Sequence, residues 1–96
     1  KTANAANADQ LNAALATALV LYQSGQHREL RGLLELLQSR FPESPETHYN
    51  MALFKSSQGQ PEMAIAELNK AEALCAQLNC SLPLLAVRAF IQARLP

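Results

Sequence analysis

Two glycines constrain this chain more than anything else in it: Gly25 in "YQSGQHREL" and Gly59 in "KSSQGQPEM", at positions 59 − 25 = 34 residues apart. Each interrupts stretches in which Ala, Leu, Met and Ile recur every three or four residues, the period of a helix with one buried face. A glycine tolerates the positive φ that ends a helix and reverses the chain, so the next helix returns antiparallel. Shifting the sequence by the same 34 residues superposes Ala18 on Ala52, Leu30 on Ala64, Leu34 on Leu68 and Leu37 on Ala71. All are small or apolar. Two copies of a helix, turn, helix unit account for this pattern. Composition agrees, because the abundant Ala, Leu, Gln and Glu lose little rotamer freedom in a helix, and Gly and aromatic residues are few.

The pattern predicts an all-α protein of about five helices. The first is expected from about Asp9, as a cap, to Ser24, burying Leu11, Leu15, Ala18 and Leu21 or their neighbours. Residues 1–8, polar and rich in Ala and Asn, read as a flexible segment or linker. The second helix covers about His27 to Arg40. "FPESP" is then a turn, with Ser44 capping a helix that Pro45 begins and that runs to about Gln58. A fourth helix opens at Pro61 and continues to about Leu78, where Asn79 in "NCSLP" terminates it. Ser81 as a cap and Pro83 in the first turn start a fifth helix to about Arg94. Its Leu84, Leu85, Val87, Ala89, Phe90 and Ile91 are apolar on more than one face. In all, 9–96 reads as one domain with repeats 11–44 and 45–78 and a capping helix at 82–95.

A helical hairpin repeated every 34 residues resembles the tetratricopeptide repeat. The second copy is the closer match: in "HYNMA" the small Ala52 follows Met51, and Ala64, Leu68 and Ala71 fall at the family's small, bulky and small positions. His48 stands where the family usually has Trp. The first copy keeps Ala18, Gly25, Leu34 and Pro42 but has Ala14 at the Trp position, Thr17 at the usual Leu, and Leu30 and Leu37 at small positions. Those departures imply looser or rearranged packing. The resemblance implies an α-solenoid of two hairpins plus a capping helix, in which stacked hairpins bury what neither can bury alone.

In this family the first helix of each hairpin lines a concave face that holds an extended or helical peptide. Carried onto this chain, the peptide-binding face comprises Asn12, Leu15, Leu19 and Tyr22, with Tyr49, Asn50 and Leu53 from the second copy. A tyrosine brings contact area and a hydroxyl on few torsions, which suits recognition. The alternative is that the leucines and Tyr49 contact the fifth helix and close a short core. Members that grip a terminal carboxylate use Lys, Arg and Asn on this face; Leu15, Leu19, Tyr49 and Leu53 argue against that function here.

Eight basic residues balance eight acidic ones, which leaves no net field to attract phosphate backbones, and nucleic acid is not an expected partner. No apolar run approaches the ~18 residues of a membrane span. His27 and His48 lack neighbours at metal-ligand spacing, no cofactor motif is present, and no nucleophile or acid pair suggests an enzyme. His48 reads as an interhelix packing residue. Glu29, Glu35, Glu62, Glu67 and Glu72 read as solvated helix faces, as do Arg28, Arg31 and Arg40. Cys75 and Cys80 in "CAQLNC" are candidates for a disulfide clipping the fourth helix to the following linker; otherwise they are free thiols. The bridge decides the compartment: the Ala-, Leu- and Gln-rich style fits a bacterial protein of cytoplasm or periplasm, the periplasm only if the pair is oxidised. The missing initiator Met suggests a piece of a larger protein or a processed chain. The expected function is non-enzymatic binding of a protein or peptide segment. The alternative is self-assembly, as a homodimer through the apolar fifth helix.

Overall fold

The computed structural model describes residues 2–78 and 80–95, with side chains from residue 9 onward. The described residues form five helices and no strand: α1 Thr2–Gln23, α2 His27–Arg40, α3 Pro45–Ser57, α4 Pro61–Leu78 and α5 Leu84–Gln92. The chain divides into two compact units, Lys1–Phe41 and Pro42–Pro96, close to the expected repeat boundary after residue 44.

The first unit is the hairpin α1–α2. Gly25 takes φ +74°, and the turn closes with two bonds: Gly25 N–H donates to Tyr22 O at 3.2 Å and Gln26 N–H to Leu21 O at 2.9 Å. This is the Schellman arrangement, which satisfies carbonyls that the helix end would leave without partners. The Gln26 carbonyl then accepts the first bond of α2, from Leu30 N–H at 3.0 Å. Ala18, Leu30, Leu34 and Leu37 form its buried face. α1 starts at Thr2, so Asp9 lies inside the helix and does not cap it. Alanine, at 3, 5, 6 and 8, is the best helix former, and this composition suits a helix that extends back past the polar residues read as a linker. Lys1 and the side chains of 2–8 lie outside the described residues.

The second unit repeats the hairpin as α3–α4. Gly59 takes φ +75°, Gly59 N–H donates to Ser56 O at 3.1 Å, Gln60 N–H to Lys55 O at 2.9 Å, and Ala64 N–H to Gln60 O at 3.0 Å. Every one of these bonds is the first unit's bond moved by the repeat length. At the start of α3, Ser44 Oγ accepts from Thr47 N–H at 3.4 Å, and Pro45 occupies the first helical position, where its missing N–H costs nothing. Ala52, Ala64 and Leu68 meet Ile91 of α5 in a fully buried cluster, flanked by half-buried Tyr49, Ile65, Leu84 and Val87.

The start of α5 differs from the sequence reading. Pro83, not Ser81, is the N-cap residue, with no side-chain cap, and the Pro83 carbonyl accepts from Val87 N–H at 3.2 Å. The helix ends at Gln92, short of Arg94, and Asn79, the expected terminator of α4, lies outside the described residues. Cys75 and Cys80 are joined by a disulfide, their Cα atoms 4.8 Å apart, and Cys80 N–H donates to Cys75 O at 3.3 Å. Arg88 adds a polar tie from α5 to α4: it donates to Glu72 at 2.7 and 3.0 Å and to Asn69 Oδ1 at 2.6 Å.

Candidate interaction surface

On α1, Asn12, Leu15, Leu19 and Tyr22 are spaced three, four and three residues apart. At 3.6 residues per turn such positions fall within an arc of about 80°. Asn12 is exposed, Leu15 half-buried, and Leu19 and Tyr22 remain 56% and 48% exposed. An apolar stripe ending in an aromatic ring therefore faces solvent. It persists because the buried face of α1 turns on Ala18, whose position one residue before Leu19 sends the two side chains roughly 100° apart.

The counterpart residues on α3 are differently engaged. Tyr49 packs beside the cluster of Ala52, Ala64, Leu68 and Ile91, and burial raises its phenol above the ordinary value of 10.0. Leu53 is half-buried. Asn50 Nδ2 donates to the Glu46 carbonyl of its own helix at 2.8 Å, which fixes its amide. Tyr49 thus has the core-closing surroundings that the sequence left as the alternative, whereas Leu19 and Tyr22 do not.

A second apolar exposure lies on α5. Leu85 is 80% and Phe90 53% exposed, and the Arg94 guanidinium sits 4.3 Å from the Phe90 ring centroid. The sequence of this helix is apolar on more than one face and does not by itself say which residues are covered. The period gave a hint, since Leu84, Val87, Arg88 and Ile91 share one side and Leu85 stands off it.

The buried polar residues of the second unit include a set that the sequence assigned to two different roles. His48, 8% exposed, places Nδ1 2.9 Å from Glu67 Oε1 and Nε2 2.7 Å from the Pro42 carbonyl oxygen. Lys55 Nζ donates to Glu67 Oε2 at 2.8 Å. Glu67 is 5% exposed, which corrects its reading as a solvated residue; Glu72, read the same way, is bound by Arg88. The reason is register. Glu67 lies three residues after Ala64 and four before Ala71, on the side of α4 that faces α3, where a carboxylate persists only with partners. Glu29, Glu35 and Glu62 are exposed, as are Arg28, Arg31 and Arg40.

Among the described residues no three His, Cys, Asp or Glu side chains come together as a metal site, and no helix is long and apolar enough to cross a membrane. Comparison with protein-family models, with curated proteins and with solved structures gives no match.

Proposed function

We propose that this chain is a non-enzymatic protein-interaction module of the tetratricopeptide type, in which the exposed face of α1 receives an apolar segment of a partner protein. The observation that carries the reading is the stripe of Leu15, Leu19 and Tyr22, apolar, contiguous and left in solvent by a hairpin whose core needs none of it beyond the half-buried Leu15. Rigid hairpins with Schellman turns hold such a stripe in one shape, and a preformed surface lowers the entropy lost on binding. Tyr22 supplies the kind of side chain that anchors interfaces, with a hydroxyl to orient the ligand. Tyr49, Asn50 and Leu53 serve in this reading as support for α3 more than as contact residues.

The test is a peptide-display selection against the disulfide-intact chain, followed by titration of the selected peptides into isotope-labelled protein. Amide shifts concentrated on residues 12–22 are expected, with a roughly tenfold or greater loss of affinity in Leu19→Asp and Tyr22→Ala. Selected peptides that bind both variants unchanged, or shift only other surfaces, would overturn the proposal.

One observation favours a second reading. The exposure of Leu85 and Phe90 supports self-association through α5, with the domain acting as an assembly unit. Sedimentation across a dilution series separates the two, since only self-association makes the mass depend on concentration and makes Leu85→Glu abolish that dependence.

A further inference from the structure

Beside its buried face, helix α2 presents a stripe whose residue order is informative. Glu29, Leu33, Leu36 and Arg40 are spaced four, three and four residues apart, which places them within an arc of about 60° at 3.6 residues per turn. Leu33 is half-buried, Leu36 is 51% exposed, and Glu29 and Arg40 are exposed. The core face of Leu30, Leu34 and Leu37 is centred roughly 100° away. Arg40 donates to Gln10 Oε1 at 3.3 Å and lies 6.0 Å from the Phe41 ring centroid; neither partner carries a negative charge. Gly32, one turn before Leu36, is exposed, and a Cβ there meets nothing within 4 Å. Glycine is a poor helix former, yet neither a positive φ nor a close contact within the chain calls for it here.

Acidic, apolar, apolar, basic is an order that complements itself when reversed. Laid antiparallel on a second copy, Glu29 meets Arg40 and Leu33 meets Leu36, because both pairs share one midpoint, between Leu34 and Glu35. Two-fold symmetry then makes each contact twice. A parallel arrangement sets Glu29 against Glu29 and Arg40 against Arg40, so charge selects the antiparallel one. The helix ends agree, since antiparallel packing brings the positive end of one macrodipole beside the negative end of the other. The remaining charged residues of the helix, Arg28, Arg31 and Glu35, lie more than about 100° from the centre of the stripe and stay clear of the contact. We propose that α2 is a self-docking surface, on which two copies of the chain pair antiparallel through Glu29, Leu33, Leu36 and Arg40, with Gly32 leaving room for the Leu36 of the second copy. The contact is one helix face roughly 17 Å long, small beside the interfaces of permanent dimers, so the pairing is transient and grows with concentration. It is separate from the α1 face and from the α5 contact considered above, and stands or falls without them.

The test is sedimentation equilibrium of the full, oxidised chain from about 10 μM to about 1 mM. The mass is expected to climb from 10.5 kDa toward twice that value, less steeply as salt is added. Leu36→Glu, at a solvent-facing position, should keep the circular dichroism of the wild type and hold the chain as a monomer, whereas Leu85→Glu on α5 should leave the association intact. Glu29→Arg and Arg40→Glu each set like charges together twice per dimer and should weaken it roughly tenfold. Glu35→Arg makes the same change of net charge off the stripe and should not. The double variant of Glu29→Arg with Arg40→Glu restores opposite partners and should recover the wild-type association. Glu29 lies in the first turn of α2 and Arg40 in the last, so the same double variant sets both charges against their own helix dipole, and a role confined to that helix gives no recovery. A monomer at every concentration, association unmoved by Leu36→Glu or lost with Leu85→Glu, equal effects of Glu35→Arg and Glu29→Arg, or a double variant no better than the single ones would each overturn the pairing.

Discussion

Helix α5 has nine residues, fewer than the ~12–15 an isolated helix needs in water, so its existence depends on docking. Within it, Ile91 is fully buried and Leu85 is the most exposed large apolar residue of the described chain. Ile91→Ala and Leu85→Ala remove side chains of equal size from opposite environments. A buried Ile→Ala change costs about 2–5 kcal/mol, the spread reflecting how far the surroundings collapse into the space. Two of the neighbours of Ile91 are Ala52 and Ala64, which have no side-chain torsions to swing inward, so the cost belongs in the upper half of that range, about 4 kcal/mol. Against a total stability of about 5–14 kcal/mol for a chain this size, that is enough to release α5 in a sizeable fraction of molecules. Leu85→Ala should change stability by no more than about 0.5 kcal/mol. The assay is urea denaturation followed by circular dichroism, with amide exchange resolving α5 from the rest. Equal costs for the two substitutions, or a cost below about 1 kcal/mol for Ile91→Ala, would refute the assignment of Ile91 as the anchor.

Gly59→Ala tests the turn itself. An added Cβ there meets nothing within 4 Å, so the cost is that of a side chain at positive φ, about 1–2 kcal/mol, partly offset by about 0.4–1 kcal/mol from a stiffer unfolded chain. Gly25→Ala should lose the same amount, and a gain at either position in a urea titration would contradict the Schellman assignment. Tyr49, whose phenol is held above 10.0 by burial, gives the fold an alkaline limit. The folded state keeps a proton that the unfolded state gives up, so stability is full below about pH 10 and declines above it. Tyr49→Phe removes that part of the decline, and an unchanged alkaline slope of the urea midpoint would count against the burial argument. Reducing the Cys75–Cys80 disulfide, which spans a sequence separation of 5, should cost about 2 kcal/mol by loop-closure entropy. Matching urea midpoints with and without reductant would exclude it.

The parts of the fold that follow from local chemistry were legible in the sequence. Gly25 and Gly59 need a positive φ, Pro45 needs a helix start and Ser44 is free to cap it, and each does what its backbone preference dictates. The four apolar pairs related by the repeat are buried in both copies because helical period alone decides which face turns inward. What escaped the sequence depends on partners distant along it. Glu67 reads as solvated until α3 brings His48 and Lys55 against it, and no spacing within α4 announces a partner on another helix. Ser81 has the better capping side chain, yet the Cys75–Cys80 bridge and the docking of Ile91 accompany a helix that begins beyond it, at Leu84. The candidate interaction face divided for the same reason. The resemblance alone nominated Leu19 and Tyr22, which are exposed on α1, but whether Tyr49 was free depended on where α5 packed.

The two copies differ in a way that bears on why one sequence pattern gives two hairpins of unequal closeness. Positions 30 and 37 are leucine in the first copy, and their equivalents 64 and 71 are alanine in the second; all four are buried. Equal burial with unequal volume requires unequal spacing between backbones, and α3 does pack along α4 more extensively than α2 along α1. Each size is then right only in its own hairpin. Ala64→Leu would force a large side chain between Ala52, Leu68 and Ile91, at about 1–3 kcal/mol for overpacking. Leu30→Ala would leave a void in the first hairpin, at about 2–5 kcal/mol. Moving either residue into the other copy should therefore destabilise the chain, and urea midpoints of the two single variants measure it. If Ala64→Leu proves neutral, the α3–α4 interface has room to spare, and the alanines of the second copy are not what brings those helices together.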